Sequence, residues 1–156
     1  MENKGSNAAV GTKGIQHMNN PFTDRNKSEE ALLIYASVVT ALSRTIFDIN
    51  KAAGWWTDLK TGQSTHETRN VGEVLMLIVS EVAEAMEADR KGLMDDKLPH
   101  RSGLEVELAD AVIRIFDLAA AKGFDIGEAI MEKILYNMSR EDHKVENRMR
   151  DGGKKY

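Results

Sequence analysis

Two apolar segments of the sequence each carry a pair of acids three positions apart. Glu81 and Glu84 lie in LMLIVSEVAEAMEADRKG, and Glu107 and Asp110 lie in EVELADAVIRIFDLA. Residues three apart are neighbours on one face of an α-helix. Carboxylates that face a core need a cation or protons to replace their lost hydration. An all-oxygen set of this kind suits hard cations, Mg²⁺ first and Mn²⁺ as a substitute.

The segment around Glu107 is apolar around most of its circumference. Its polar exceptions align in one stripe: Glu107, Asp110, Arg114 and Asp117. In a helix otherwise covered by hydrocarbon, such a stripe indicates an internal cleft. We therefore expect the two acidic pairs to face each other and form one cluster. The alternative is that each pair lies on a solvated helix face, which is the usual situation for a single pair.

Four helical segments position these residues, and no strand pattern or internal repeat stands out. The first is predicted to begin at the N-cap Ser28 and to end before Gly54. The next three begin with capping boxes, a cap residue and an acid three positions later: Asn70 and Glu73, Ser102 and Glu105, Asp125 and Glu128. The second helix has a predicted core stripe: Leu75, Ile78, Val82 and Met86. The predicted fold is all-α, with a four-helix core bundle.

Composition limits the class of protein. The chain has 156 residues, no cysteine and a formal net charge of -4, which excludes a disulfide framework and argues against binding a nucleic-acid duplex. The first 21 residues lack the apolar core of a signal peptide, and no apolar run is expected to reach the roughly 18 residues of a membrane helix. We expect a cytoplasmic protein without a membrane partner. Its predicted parts are a flexible N-terminal extension (1–27), a helical domain (28–140) and a basic, flexible C-terminal tail (141–156).

Residues 51–69 connect the first two helices without a clear period, and a connection this long is more often a functional loop than a spacer. It holds Trp55 and Trp56, whose rings can stack on a nucleobase or anchor a core. Because adjacent side chains diverge, we expect one in a pocket and one packed. Lys51 and His66 are expected to face solvent.

The last helix offers cations for phosphate on one face, with two polar neighbours: Lys133, Tyr136, Asn137 and Arg140. Lys and Arg pair with phosphate oxygens, and Asn can donate a hydrogen bond. The alternative is an ordinary solvated helix end, where positive charge is favourable against the helix dipole. Lys154 is a further candidate for substrate binding, and its alternative is a flexible tail.

The order of these motifs resembles that of the MazG-like all-α nucleoside triphosphate pyrophosphohydrolases. In that family Glu-x-x-Glu on one helix faces Glu-x-x-Asp on the next, as in SEVAEAMEADRKG and EVELADAVIRIFDLA. EKILYNMSR and DGGKK are similar to the family's Lys-x-x-x-Asn-x-x-Arg helix and Gly-Gly-Lys tail, although Asp151 stands where related sequences often have His. The similarity covers residues 30 to 155.

The resemblance implies Mg²⁺-dependent cleavage of a nucleoside triphosphate between its α- and β-phosphates, which gives a monophosphate and pyrophosphate. It implies one metal-binding and catalytic set: Glu81, Glu84, Glu107 and Asp110. Glu81 or Glu84 could take the proton from the attacking water, and the sequence does not choose between them. The implied substrate-binding residues are Trp55, Trp56, Lys133, Tyr136, Asn137, Arg140 and Lys154. A homodimer or homotetramer is also implied.

Two other classes of protein also carry acids on the helices of a bundle. A ferritin-like di-iron bundle needs Glu-x-x-His pairs. The residues three positions before His66, His100 and His143 are not Glu but Gln63, Lys97 and Arg140. The second class, a non-catalytic helical interaction module, would use the acidic faces for salt bridges to a partner and would show no metal-dependent turnover. This second alternative stays open.

Overall fold

The structure, a computed structural model, describes residues 25–154, with side chains from residue 30 onward. Over that range the chain contains four long helices: α1 (Arg25–Ala52), α2 (Val71–Lys91), α3 (Gly103–Ala121) and α4 (Ile126–Ser139). A 3₁₀ turn (Glu141–His143) and a short α5 (Val145–Arg148) follow within the segment predicted as a flexible tail. The described residues include no strand beyond two isolated β-bridges. The predicted all-α fold class is confirmed.

The predicted N-caps fix the starts of three helices. The cap side chains each accept a hydrogen bond from a first-turn backbone N–H: Asn70, Ser102 and Asp125. At the other end of α2, Gly92 has φ 61° and its N–H bonds to the last turn, a left-handed conformation that glycine adopts without a steric penalty. These local signals therefore determine where α2, α3 and α4 begin.

The predicted start of α1 is wrong. The helix begins at Arg25, so Ser28 lies inside it and is not its N-cap. Residues 25–27 contain neither Gly nor Pro, so nothing in their type stops the helix from extending toward the N-terminus. Of the predicted extension (1–27), these three residues belong to α1, and the rest lies outside the described residues.

The helix α3 is central, with α1 and α2 against it, while α4 packs mainly on α1. Among the described helices, α2 packs on α3 alone. One stripe of α2 is buried: Val74, Glu81, Ala85 and Ala88. Small residues let the two helices approach closely, because a Cβ added to Gly103 would lie 2.9 Å from the Cβ of Ala88. A carboxylate therefore occupies the middle of the α2–α3 contact.

The predicted core stripe of α2 is largely wrong. Leu75, Val82 and Met86 are exposed, and only Ile78 is half-buried. The physical reason is that α2 has a single helical neighbour, so only one of its two apolar stripes is covered. The covered stripe is the one with small residues and Glu81.

The expectation that no apolar run reaches the length of a membrane helix is also wrong. Within α1, the stretch Glu30–Ala52 is 23 residues long and has the length and composition to cross a membrane. Between residues 31 and 50, Arg44 and Asp48 are its only charged residues. The uncharged polar residues of this stretch do not bring its mean hydropathy below that of a membrane-spanning helix. Core helices of globular proteins can meet the same criterion.

Hydrogen bonds between helices fix α1 against α3 and α4. Thr40 Oγ1 donates to Asp125 Oδ1 at 2.6 Å and accepts from the Gly127 N–H at 3.2 Å. Ser43 Oγ donates to the carbonyl oxygen of Phe116 at 2.7 Å. Thr40 and Ser43 are buried, so each hydroxyl finds within the protein the hydrogen-bond partner that water does not supply. These bonds set the position of α3 and hence of its acids.

Replacing Gly127 by Ala should destabilise the protein, although the same change in an open helix stabilises it by about 0.5–1 kcal/mol. The new Cβ would lie 2.0 Å from the carbonyl oxygen of Ala36 and 2.5 Å from Thr40 Oγ1. Relief of these clashes requires α1 and α4 to separate, at a cost of about 1–3 kcal/mol. Urea unfolding measures the change, and the exposed Ala129→Gly gives the helix-propensity effect alone. A more stable Gly127→Ala protein would contradict the close approach.

Candidate metal centre and adjoining cleft

The loop between α1 and α2 is anchored by Trp56. Its side chain is 2% exposed, and its Nε1 donates to Asp117 Oδ1 and Oδ2 at 3.0 and 3.2 Å. Phe47 and His66 pack edge-on to the indole, with ring centroids 5.7 and 5.8 Å away. Burial raises the pKa of Asp117, and hydrogen bonds from Trp56 and Asn50 act in the opposite direction. Asp117, part of the predicted polar stripe, therefore holds the loop on α3.

The expectation of a solvent-facing His66 is wrong. Its Nε2 donates to the carbonyl oxygen of Ala121 at 2.6 Å, and its ring lies 5.5 Å from that of Phe47. The loop is thus attached to the end of α3 at a second point. Lys51 is exposed as expected, with its Nζ 5.7 Å from the centre of the Phe47 ring.

Trp55 diverges from Trp56 and lines a cleft between the loop and α3. It is 66% exposed, and the cleft has a volume of about 210 Å³. The other lining residues are Asn50, Arg69, Asp110, Ile113, Arg114 and Asp117. One tryptophan is packed and one lines a pocket, as expected. Because the faces of Trp56 are enclosed, Trp55 is the one that is placed to stack on a ligand.

Three of the four predicted acids meet where α2 contacts α3. Glu81, Glu84 and Glu107 each offer a carboxylate oxygen, and these oxygens all lie within 4.8 Å of one another. Glu81 is 7% exposed, Glu107 is half-buried and Glu84 is exposed. The cluster is therefore anchored in the helix contact and opens to solvent at one side.

Asp110 lies outside this set of three. It lines the cleft beside Trp55 instead, one turn along α3 from Glu107. Its carboxyl has a raised pKa because it is partly buried and because Glu81 is negatively charged, while Arg114 acts in the opposite direction. Asp110 thus lies within electrostatic reach of the cluster and on its cleft side.

Arg114 is the cation in direct contact with the cluster. Its Nε donates to Glu81 Oε1 at 2.6 Å, and its side chain is 39% exposed. The guanidinium offsets part of the desolvation of the buried Glu81 carboxylate. Because Arg114 also lines the cleft, it links the acidic cluster to that cavity.

Glu107 can hold a proton within the cluster to a higher pH than an ordinary glutamate does. Burial raises the pKa of Glu107, and a hydrogen bond with Glu81 and the negative charge of Glu84 raise it further. A protonated Glu107 can donate that hydrogen bond to Glu81. Without a cation, the guanidinium compensates Glu81, and Glu107 does so too in its protonated form.

A second cavity, of about 310 Å³, borders the cluster at Glu84 and Glu107. Its other acidic lining residues are Glu87, Asp95 and Asp96. The cleft, in contrast, contains Arg69 and Arg114 together with Trp55. The cluster therefore borders one strongly acidic cavity and adjoins, through Arg114, a cleft that is lined by two arginines and two aspartates.

The predicted basic face of α4 is not brought to the cluster. Lys133 Nζ lies 4.8 Å from the centre of the Tyr136 ring, and Arg140 forms a double hydrogen bond with Asp142 at 2.9 and 2.6 Å. None of these residues lines the cleft, and α4 does not contact α2. Asn137 is half-buried, and its Oδ1 has no hydrogen-bond partner within the described part of the chain.

Lys154 belongs to the C-terminal segment, where its carbonyl oxygen accepts from Arg148 Nε at 3.2 Å. The nearby α5 packs on the 3₁₀ turn and not on the helices that carry the cluster. Among the described residues, Arg114 is the cation that contacts the cluster, and Arg69 shares the adjoining cleft with it. Arg114 was visible in the polar stripe, four residues after Asp110, whereas Arg69 lies in the loop and carries no helical signal.

Glu107→Gln should alter the pH dependence of stability in the metal-free protein. An acid whose pKa is higher in the folded than in the unfolded state destabilises the fold as pH rises through that interval, which here begins near the ordinary value of 4.5. Below that pH, Glu107 is protonated in both the folded and the unfolded state, so it adds no pH dependence to the free energy of unfolding. The free energy of unfolding of Glu107→Gln, relative to wild type, should therefore increase from below pH 4.5 to neutrality.

Urea unfolding in EDTA across that pH range measures the difference. Glu132→Gln, at an exposed position on α4, is the matched control and should show no such increase. A pH-independent difference for Glu107→Gln would contradict the raised pKa.

Comparison of the chain with protein-family models, with curated proteins and with solved structures finds no match in any of the three. The resemblance to the MazG-like pyrophosphohydrolases therefore rests on the sequence motifs and stays a prediction.

Proposed function

We propose that the protein is a Mg²⁺-dependent nucleoside triphosphate pyrophosphohydrolase that releases a nucleoside monophosphate and pyrophosphate. One observation carries the proposal: the oxygens of Glu81, Glu84 and Glu107 converge to within 4.8 Å, next to a cleft lined by two arginines and a tryptophan. The sequence resemblance supplies the substrate and the bond that is cut.

The cluster fits a hard divalent cation. Its donors are carboxylate oxygens from Glu81, Glu84 and Glu107, without a nitrogen or sulfur atom, which is the donor type that Mg²⁺ and Mn²⁺ prefer. The pKa of Glu107 is raised by burial first, and then by its hydrogen bond with Glu81 and the nearby negative charges, so full ionisation of the three acids without a cation is unfavourable. When bound, such a cation would polarise a phosphoryl group and lower the pKa of a coordinated water.

The chain's own residues suggest how an anionic substrate is oriented. Arg69 and Arg114 line the cleft and can pair with phosphate oxygens. Trp55 is free to stack on the base. The carboxylates of the second cavity would repel a polyphosphate. We therefore infer that the substrate enters by the cleft.

A general base must lie close to the cluster and be free to accept a proton. Glu81 is buried and engaged by Arg114. Glu84 is exposed and belongs to the same group of oxygens. Between the two candidates, these contacts favour Glu84 as the base that accepts a proton from the attacking water.

A non-catalytic interaction module is the second candidate, and large exposed apolar side chains favour it. On α1 they include Leu33, Ile34 and Val38, and on α2 Leu75, Val82 and Met86. Surfaces of this kind commonly bind a partner. A second copy of the chain would be compatible with both candidates, so metal-dependent turnover is what separates them.

The first test is product analysis on a panel of ribo- and deoxyribonucleoside triphosphates with Mg²⁺. We expect pyrophosphate as the primary product. Glu107→Gln should lose turnover by about 100-fold or more, because groups that only support metal ligands already contribute about 10–100-fold. The rise in melting temperature on adding Mg²⁺ should shrink in the same variant.

Glu105→Gln is the control for this test, because Glu105 is exposed on the first turn of α3, pairs with Arg101 and is not in the cluster. It should keep its activity. Primary release of orthophosphate would rule out the proposed bond cleavage. Absence of turnover across the whole panel would favour the interaction module.

Substitution of the two tryptophans should separate binding from stability. Trp55→Ala should weaken nucleotide binding by about 1–3 kcal/mol with little change in melting temperature, since the ring is exposed. Trp56→Ala should lower the free energy of unfolding by about 3–5 kcal/mol, since the ring is buried and bonded to Asp117. Calorimetric titration with a non-hydrolysable nucleotide and urea unfolding measure both. Unchanged affinity in Trp55→Ala would remove this residue from the site.

A further inference from the structure

The Arg114 guanidinium lies where a bound cation would compete with it for the Glu81 carboxylate. Arg114 Nε lies 2.6 Å from Glu81 Oε1, and Glu81 is the buried member of the three acids that converge. A divalent cation held by these carboxylates would share Glu81 with the guanidinium at short range. Two positive groups on one carboxylate repel strongly where water is scarce.

The adjoining cleft has space for the Arg114 guanidinium. Arg114 is 39% exposed and lines the cleft of about 210 Å³ that Arg69 and Trp55 also line. Asp110 and Asp117 border the same space. Movement of the side chain away from Glu81 would therefore leave its charge in the cleft rather than in an apolar environment.

We propose that Arg114 is a counter-ion that the cluster exchanges for a divalent cation, and that its release equips the cleft to bind an anionic group. The inference deepens the proposed function, on whose cation site it rests. Arg114 is a positioning residue in this exchange. Cation and anion then bind cooperatively, because an anion that holds Arg114 in the cleft removes the competitor for Glu81, and this coupling is reciprocal.

Calorimetric titration with Mn²⁺ alone tests the exchange. Arg114→Met should bind Mn²⁺ at least about tenfold more tightly than wild type, because the cation no longer displaces a charge-assisted hydrogen bond. Arg69→Gln is the matched control, since it removes a charge from the same cleft without touching Glu81, and its affinity should change much less. Equal or weaker Mn²⁺ binding by Arg114→Met would overturn the proposal and would show that Arg114 supports Glu81 as a ligand.

The coupling to anions has its own measurement. At constant ionic strength, replacing chloride by sulfate should tighten Mn²⁺ binding to wild type and have no such effect on Arg114→Met. A sulfate effect of equal size in both proteins would overturn the coupling. If Arg114→Met does not fold without metal, Arg114→Lys replaces it: the shorter ammonium cannot reproduce the Nε contact, so Mn²⁺ should still bind more tightly than to wild type.

The outcomes separate this inference from the proposed function. If wild type turns over the substrate and Arg114→Met binds Mn²⁺ with unchanged affinity, the exchange is contradicted and the proposed pyrophosphohydrolase activity is supported. Tighter Mn²⁺ binding in the variant without turnover in wild type would support the exchange and contradict the enzyme. Absence of Mn²⁺ binding in both proteins would overturn both.

Discussion

The burial of the Glu81 carboxylate between α2 and α3 is the constraint on which the rest of the site depends. An apolar side chain at this position would make a simpler helix contact, because an uncompensated buried charge is strongly unfavourable. The chain compensates through Arg114, one turn beyond Asp110, and through the raised pKa of Glu107. Each compensating group comes from α3, so the position of that helix determines whether Glu81 is tolerated.

Contacts from α1 and from the loop between α1 and α2 supply that position. Ser43 bonds the α3 backbone directly, and Trp56 bonds Asp117 from the loop. At the far end of the same helix, His66 bonds the carbonyl oxygen of Ala121. The hydrogen bonds of these buried polar groups are directional, so each group is satisfied in only one arrangement of the helices. The loop thus holds α3 in place and, through Trp55, forms one wall of the cleft.

Sequence patterns could predict local features of the fold, but not which helix surfaces are covered or which distant residues are in contact. Caps such as Ser102 are short-range signals, and they predicted the starts of α2, α3 and α4 correctly, whereas the predicted cap Ser28 lies inside α1. The acidic stripe was readable because three-residue spacing fixes a face. Which apolar stripe of α2 is covered depends on how many helices surround it, and one neighbour leaves Met86 exposed. The contacts of Trp56 and His66 join residues 61 and 55 positions apart, a separation that helical periodicity does not encode.

Fold stability and cation affinity compete for the same oxygen atoms in this cluster. Three free carboxylates would bind a cation most tightly, but they would repel one another whenever the cation is absent. The guanidinium on Glu81 reduces that repulsion, and Glu107 reduces it further in its protonated form. Both compensations would oppose an incoming metal ion, so a cluster with built-in counter-charges trades affinity for stability in the metal-free state. The pKa of Asp110, one turn further along α3 in the wall of the cleft, is raised first by burial and then by the charge of Glu81, so the same two costs reach beyond the three convergent acids.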